Sequence, residues 1–127
     1  MAIISVSLND TILKEMKRIQ EEQGYSGRSE VIRAGTRLLI SEFKNTEKLS
    51  GKINSILLVI HNHDAENMVS EIKHKYEDVT TTQIHSHLKN NKCLEIFVLE
   101  GESDRIKEML NQFQTNKKMD LVKLIVP

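Results

Sequence analysis

The sequence predicts an α+β protein made of two units in tandem, a short strand followed by two helices and then a β-α-β-β-α-β unit. Three observations carry this. Residues 1–10 alternate with period two, residues 11–43 place apolar side chains at helical spacing, and residues 53–126 return to strand-length apolar runs separated by two helical stretches. The chain has 127 residues, 39% of them apolar. Two units cut from so short a chain each bury a modest core, so association of several copies is expected.

The elements follow in order. In Met1–Asp10 the apolar Ile4, Val6 and Leu8 alternate with Ile3, Ser5 and Ser7, the pattern of a half-buried strand. Asn9 and Asp10 offer helix N-caps, Ile12, Leu13, Met16 and Ile19 share one face of a helix over residues 11–23, and Gly24 supplies its stop. The Ser/Gly-rich turn Tyr25–Glu30 feeds a second helix whose expected buried face is Val31, Ile32, Gly35, Leu38, Leu39 and Phe43. Polar residues from Asn45 to Lys52, with Ser50-Gly51 among them, read as a short linker between domains at 1–47 and 53–127. Beyond it strands are expected at 53–61, 79–88, 93–100 and 119–126, helices at 64–76 and 102–115, and a tight turn at Lys89–Lys92. This order is the split βαβ, ferredoxin-like arrangement.

Composition removes several classes. No apolar run approaches the roughly 20 residues that span a bilayer, and the longest, Ile56–Ile60, is strand-sized. A single cysteine excludes a disulfide framework, and with no leader of basic and then apolar residues the expected compartment is the cytoplasm. No nucleophile–base constellation marks an enzyme. Eighteen basic side chains balance eighteen acidic ones, split eight to seven over residues 1–50 and ten to eleven over residues 51–127. Neutrality limits generic attraction to phosphate but leaves room for a reader that uses a few positioned arginines.

The histidines are segregated where the charges are not. All five, His61, His63, His74, His85 and His87, lie within 27 consecutive residues, and the only cysteine, Cys93, follows. In His85-Ser-His87 both imidazoles project from one face of a strand, because residues i and i+2 of a strand share a face. The turn after them brings Cys93 back alongside on the neighbouring strand. His74, at the exposed C-terminal end of a predicted helix, is the fourth candidate ligand, from the same chain or a neighbour, and His61-Asn-His63 is an accessory pair. Imidazole nitrogens and a thiolate suit Ni(II), Cu(II), Zn(II) or Co(II) and discourage Mg and Ca. Spacing alone leaves open a tetrahedral site, favouring Zn(II), or a planar one, favouring Ni(II) or Cu(II).

The first strand cannot stand alone at an edge, and two copies paired antiparallel across a two-fold axis would form a ribbon. Ile4, Val6 and Leu8 would then cover the helices, leaving Ile3, Ser5 and Ser7 outward at a width that fits the major groove. The helix start Ser26-Gly-Arg-Ser29 presents backbone N–H groups and hydroxyls suited to phosphate, and Arg28, Arg33 and Arg37 supply local positive charge.

Residues 1–43, with Arg28-Ser-Glu-Val-Ile-Arg33, resemble a ribbon-helix-helix DNA-binding domain. Residues 53–126 resemble the ferredoxin-like, ACT-type regulatory domain of the NikR family of nickel-responsive transcriptional regulators, most specifically in His74-x10-His85-x-His87-x5-Cys93 followed by Leu94-Glu95-Ile96. The resemblance implies a planar Ni(II) site built from His85, His87 and Cys93 of one subunit and His74 of the partner subunit, in a homotetramer that is a dimer of dimers. It also implies that Ser5 and Ser7 occupy the groove-facing positions of a ribbon on double-stranded operator DNA, beside the Arg28, Ser29 and Arg33 read above as facing phosphate. The expected function is a metal-responsive repressor.

The chain departs from the family pattern at three places and keeps it at a fourth, His63. Ile3 stands where relatives often carry a base-reading arginine, and Ala34 where an acidic residue helps hold an alkali cation between domains. Asp64 and Glu66 stand in a loop that elsewhere carries basic residues, and His63 falls where relatives have a histidine near the metal region. Two alternatives follow from the residues. One is the same architecture tuned to Cu(II), Zn(II) or Co(II); the other is a metal-independent ribbon-helix-helix regulator or antitoxin carrying a small-molecule-binding domain.

Overall fold

Asn9 starts the first helix as predicted, its Oδ1 accepting the Ile12 N–H at 2.9 Å. The helix, α1, spans Asp10–Gln23 and ends on Gly24, whose φ of 75° is the left-handed conformation that lets its N–H return to Gln20 O. A second helix, α2, spans Arg28–Glu47. The structure, a computed structural model, describes all residues from Met1 to Pro127 and divides into two units, Met1–Glu47 and Lys48–Pro127.

Three expectations for the first unit are corrected. Residues 1–9 form no strand in the single chain, because a lone extended segment has no neighbour to complete its ladder. The apolar face of α2 is not covered: none of its residues is buried, and Leu38, Leu39 and Phe43 stand well exposed. Met16 is the one buried side chain of the unit, since two helices without a sheet cannot enclose a core. Finally, α2 runs through Asn45 to Glu47, where a linker was expected. The Thr46 hydroxyl donates to Glu42 O within that last turn.

The second unit follows the predicted order. Strand β1 spans Lys52–Asn62; a 3-10 turn at His63–Ala65 leads into α3, Glu66–Lys75. After a second 3-10 turn, Glu77–Val79, come β2, Thr80–Leu88, and β3, Lys92–Glu102. Helix α4, Ser103–Gln114, and β4, Met119–Ile125, close the chain. The sheet order is β2-β3-β1-β4, with all neighbouring pairs antiparallel. Central β3 and β1 alternate strictly: Cys93, Glu95, Phe97 and Leu99, with Leu57, Val59 and His61, are fully buried on one face. Val69, Ile72 and Tyr76 of the α3 segment and Ile106, Met109, Leu110 and Phe113 of α4 cover that face. The Phe97 and Phe113 rings meet at 5.7 Å between centroids.

Two features place the functional end of this sheet. Leu88 pairs with Lys92 across the loop Lys89–Asn91, in which Asn90 and Asn91 have φ of 62° and 60°. Asparagine tolerates that left-handed conformation better than other residues with a side chain. The reversal sets His87 opposite Cys93 and His85 opposite Glu95. On the other side of β3, His61 pairs with Cys93. The opposite sheet face carries Ile84, Val98, Leu121 and Ile125, all exposed.

Candidate metal centre

His85 and His87 leave β2 on the same face, with ring centroids 4.9 Å apart. Cys93 lies between β2 and β1 with its side chain buried. Its Sγ is 3.9 Å from His87 Nδ1 and 3.6 Å from His63 Nδ1. The donor atoms of His63, His87 and Cys93 all lie within 4.8 Å of one another. His63 reaches this cluster because its backbone N–H donates to Asn91 O at 2.9 Å, tying the 3-10 turn to the β2–β3 loop. Burial pushes the Cys93 thiol up from its ordinary value, and the charges of Glu66 and Glu95 add to the shift. A cation held here would have to displace the thiol proton.

Beside the cluster is a buried carboxylate, Glu95, whose role the sequence does not announce. Glu95 Oε1 accepts from Lys73 Nζ at 3.1 Å and from Gln83 Nε2 at 3.0 Å. Its Oε2 lies 2.9 Å from His85 Nδ1 and 3.6 Å from His61 Nε2. His85 Nε2 is buried with no partner. A carboxylate at Nδ1 favours the proton there and leaves Nε2 as a lone pair for a metal. The signal for Glu95 was an acid at an inward position of a strand that otherwise alternates Cys93, Phe97 and Leu99.

The remaining candidates fall elsewhere. His61 is fully buried, with Nδ1 2.8 Å from Asn62 O and its other nitrogen turned to Glu95, so it joins the carboxylate's surroundings rather than the thiol cluster. His74 is exposed near the end of α3, its Nδ1 2.8 Å from Glu77 Oε1, and it is not among the three donors gathered around the thiol. In the first unit Ile3, Ser5, Ser7, Arg28 and Ser29 are accessible, and Arg33 Nε is held at 2.9 Å by Glu30 Oε1. The donors fit a borderline cation: two imidazole nitrogens and a thiol converge, and a third imidazole keeps a buried nitrogen free.

Residues 55–126 match the NikR C-terminal nickel-binding domain. A Methanocaldococcus jannaschii protein that carries the name nickel-responsive regulator is 36% identical over 126 residues, 97% of this chain and 89% of the relative. A Methanococcoides burtonii protein with the same name is 35% identical, over 95% of this chain and 89% of its own length. The chain belongs to the NikR family of nickel-responsive regulators. It is a regulatory protein rather than an enzyme. Among solved structures, an uncharacterized Thermotoga maritima protein, TM1266, superposes with a TM-score of 0.56 at 18% identity, over 60% of this chain and 98% of that one, which shows the shared fold alone. No helix of this NikR-family chain is long and apolar enough to cross a membrane.

Proposed function

We propose that this protein represses transcription in response to Ni(II), through a planar site made of His85, His87 and Cys93 of one subunit and His74 of the partner subunit. The observation that carries the reading is the row of His85 and His87 on one face of β2 beside the buried Cys93 thiol, with His85 Nε2 buried and unpartnered. His74 stands exposed and outside its own chain's donor cluster, which supports its donation to a neighbouring subunit. Ni(II) held by these residues would cross-link strands of one subunit to α3 of another, with protein side chains as its donors.

Homotetramer formation is supported by two uncovered apolar surfaces. Leu38, Leu39 and Phe43 of α2, with Ile4, Val6 and Leu8 before α1, are exposed in the single chain and would be buried when two copies pair as a ribbon-helix-helix dimer. Ile84, Val98, Leu121 and Ile125 on the sheet offer a second face. In the ribbon Ile3, Ser5 and Ser7 would read base edges of double-stranded operator DNA, while Arg28, Ser29 and Arg33 would meet phosphates. The ion would set how the two dimeric ends meet the operator, a coupling between distinct sites.

The test is an anisotropy titration on operator DNA selected from a random duplex pool, with and without Ni(II), and with Cu(II), Zn(II) and Co(II) as alternatives. Ni(II) is expected to tighten binding, and Cys93→Ala and His87→Ala variants are expected to lose the response. Affinity unchanged by chelation would sink the metal-responsive reading and favour the metal-independent one. A stronger response to another metal would reassign the ion.

A further inference from the structure

The segment that follows His74 is held from another helix. Arg105, near the start of α4, donates through Nη2 to Lys75 O at 2.6 Å, meets the two Asp78 carboxylate oxygens at 3.1 Å each and lies over the Tyr76 ring at 4.3 Å. The guanidinium thereby takes up a carbonyl at the end of α3, where intrahelical donors run out, and fixes the backbone next to His74. A planar fork makes these contacts together, which a lysine ammonium cannot. The same stretch of α4 grips the linker. The carbonyl of Leu49, just past the end of α2 at Glu47, accepts from Lys107 Nζ at 2.9 Å and from Ser103 Oγ at 3.4 Å, and the Ser103 N–H donates to Gly51 O at 2.8 Å. Gly51, with φ of 67°, supplies the left-handed bend there. Ser103 and Lys107 are four residues apart and share a side of α4, whereas Arg105 between them faces away from both. The start of α4 therefore joins the end of α3 on one side to the linker on the other.

We infer that the start of α4 couples the metal site to residues 1–47: Arg105 is a positioning residue for His74, and Ser103 and Lys107 pass the state of the α3 end to the linker. With His74 held by an ion, the end of α3 is fixed, Arg105 is fixed with it, and the Leu49 carbonyl keeps its two donors. An ordered linker lowers the ordering cost that operator binding otherwise carries, which is positive coupling without a large change of shape. The inference rests on the reading of the chain as a Ni(II)-dependent operator binder with His74 as a ligand.

The test uses the full chain, Ni(II) and the selected operator duplex. It reads Ni(II) affinity by chelator competition, operator affinity by anisotropy with and without Ni(II), and amide hydrogen exchange at Ser103. Lys107→Met is expected to keep the Ni(II) affinity of the DNA-free protein and to lose most of the Ni(II)-dependent gain in operator affinity, a gain of roughly 5–150-fold in typical couplings. By reciprocity it also loses the tightening of Ni(II) binding by operator. Lys107→Arg, which keeps a donor, should retain both. Arg105→Lys should weaken Ni(II) binding and the coupling together. In the native protein Ni(II) should slow exchange of the Ser103 amide. A Lys107→Met protein that keeps the full gain overturns the coupling route, and so does one that loses Ni(II) affinity in the absence of DNA, because the contact is then merely structural. Native Ni(II) affinity in Arg105→Lys overturns the positioning role. If the variants do not fold, a Ser103 amide indifferent to Ni(II) in the native protein overturns the inference instead. A native protein whose operator affinity ignores Ni(II) sinks the functional reading itself, so the two failures are told apart.

Discussion

Glu95 Oε2 stands 2.9 Å from His85 Nδ1, a fully buried carboxylate against a ring whose other nitrogen is also buried and unpartnered. Lys73 and Gln83 hold the other oxygen, so the carboxylate is fixed and the ring is aimed by it. Glu95→Gln keeps the shape but removes the charge that favours the proton on Nδ1. The expected result is a 10–100-fold or so loss of Ni(II) affinity in a chelator competition, with the thiolate band retained. Unchanged affinity would show that Glu95 only fills space.

Gly101 pairs with Ile53 at the end of β3, where a Cβ would come within 2.7 Å of Val79 Cγ1. Val79 is a β-branched side chain buried in the core, so it has little room to turn aside. Gly101→Ala should therefore cost about 1–3 kcal/mol of stability by overpacking. Urea denaturation of the two proteins measures it. A neutral result would mean that the turn before β2 yields freely.

Much of this architecture was legible in the sequence because its signals are local. Strand-length apolar runs located every strand of the second unit to within a few residues, and the His85-Ser-His87 spacing placed two rings on one face before any register was known. The register itself came from Asn90 and Asn91, whose left-handed loop sets His87 against Cys93. What the sequence hid depends on long-range packing. Nothing near Glu95 announces that Lys73, 22 residues earlier, will meet it. The approach of His63 to Cys93 depends on a backbone hydrogen bond to a loop 28 residues on. The strand expected at residues 1–10 has the right alternation, but a ladder needs a second strand, which one chain does not supply.

Arg105 forms a two-point pair with Asp78, each contact at 3.1 Å, lies over the Tyr76 ring and donates to Lys75 O just past His74. The hydrogen bond from Arg105 holds the Asp78 carboxyl below its ordinary value of 3.8, and the pairing raises Arg105 above its own. A carboxyl with a depressed folded-state pKa contributes stability above its unfolded value and loses it as pH falls through the folded one. Asp78→Asn should therefore be less stable than the native protein at neutral pH, with the gap closing progressively below about pH 4. Urea midpoints measured from pH 7 to pH 2 check this, and a gap independent of pH would remove the charge from the account.

Val98 lies on the sheet face away from the helices, exposed, opposite Ile56 of β1, and Ile56 in turn pairs with Ile125 of β4. Burying such side chains against another subunit would be worth at most about 1.5–3 kcal/mol each. A carboxylate there would lose hydration without gaining a partner. Val98→Glu should leave the single-chain fold intact, since the side chain points away from its core, and should reduce the mass seen in sedimentation velocity. If His74 reaches its site across this face, the same variant will also weaken Ni(II) binding. A drop in mass with metal affinity retained would instead assign His74 to a different contact between subunits, and an unchanged mass would place the assembly elsewhere.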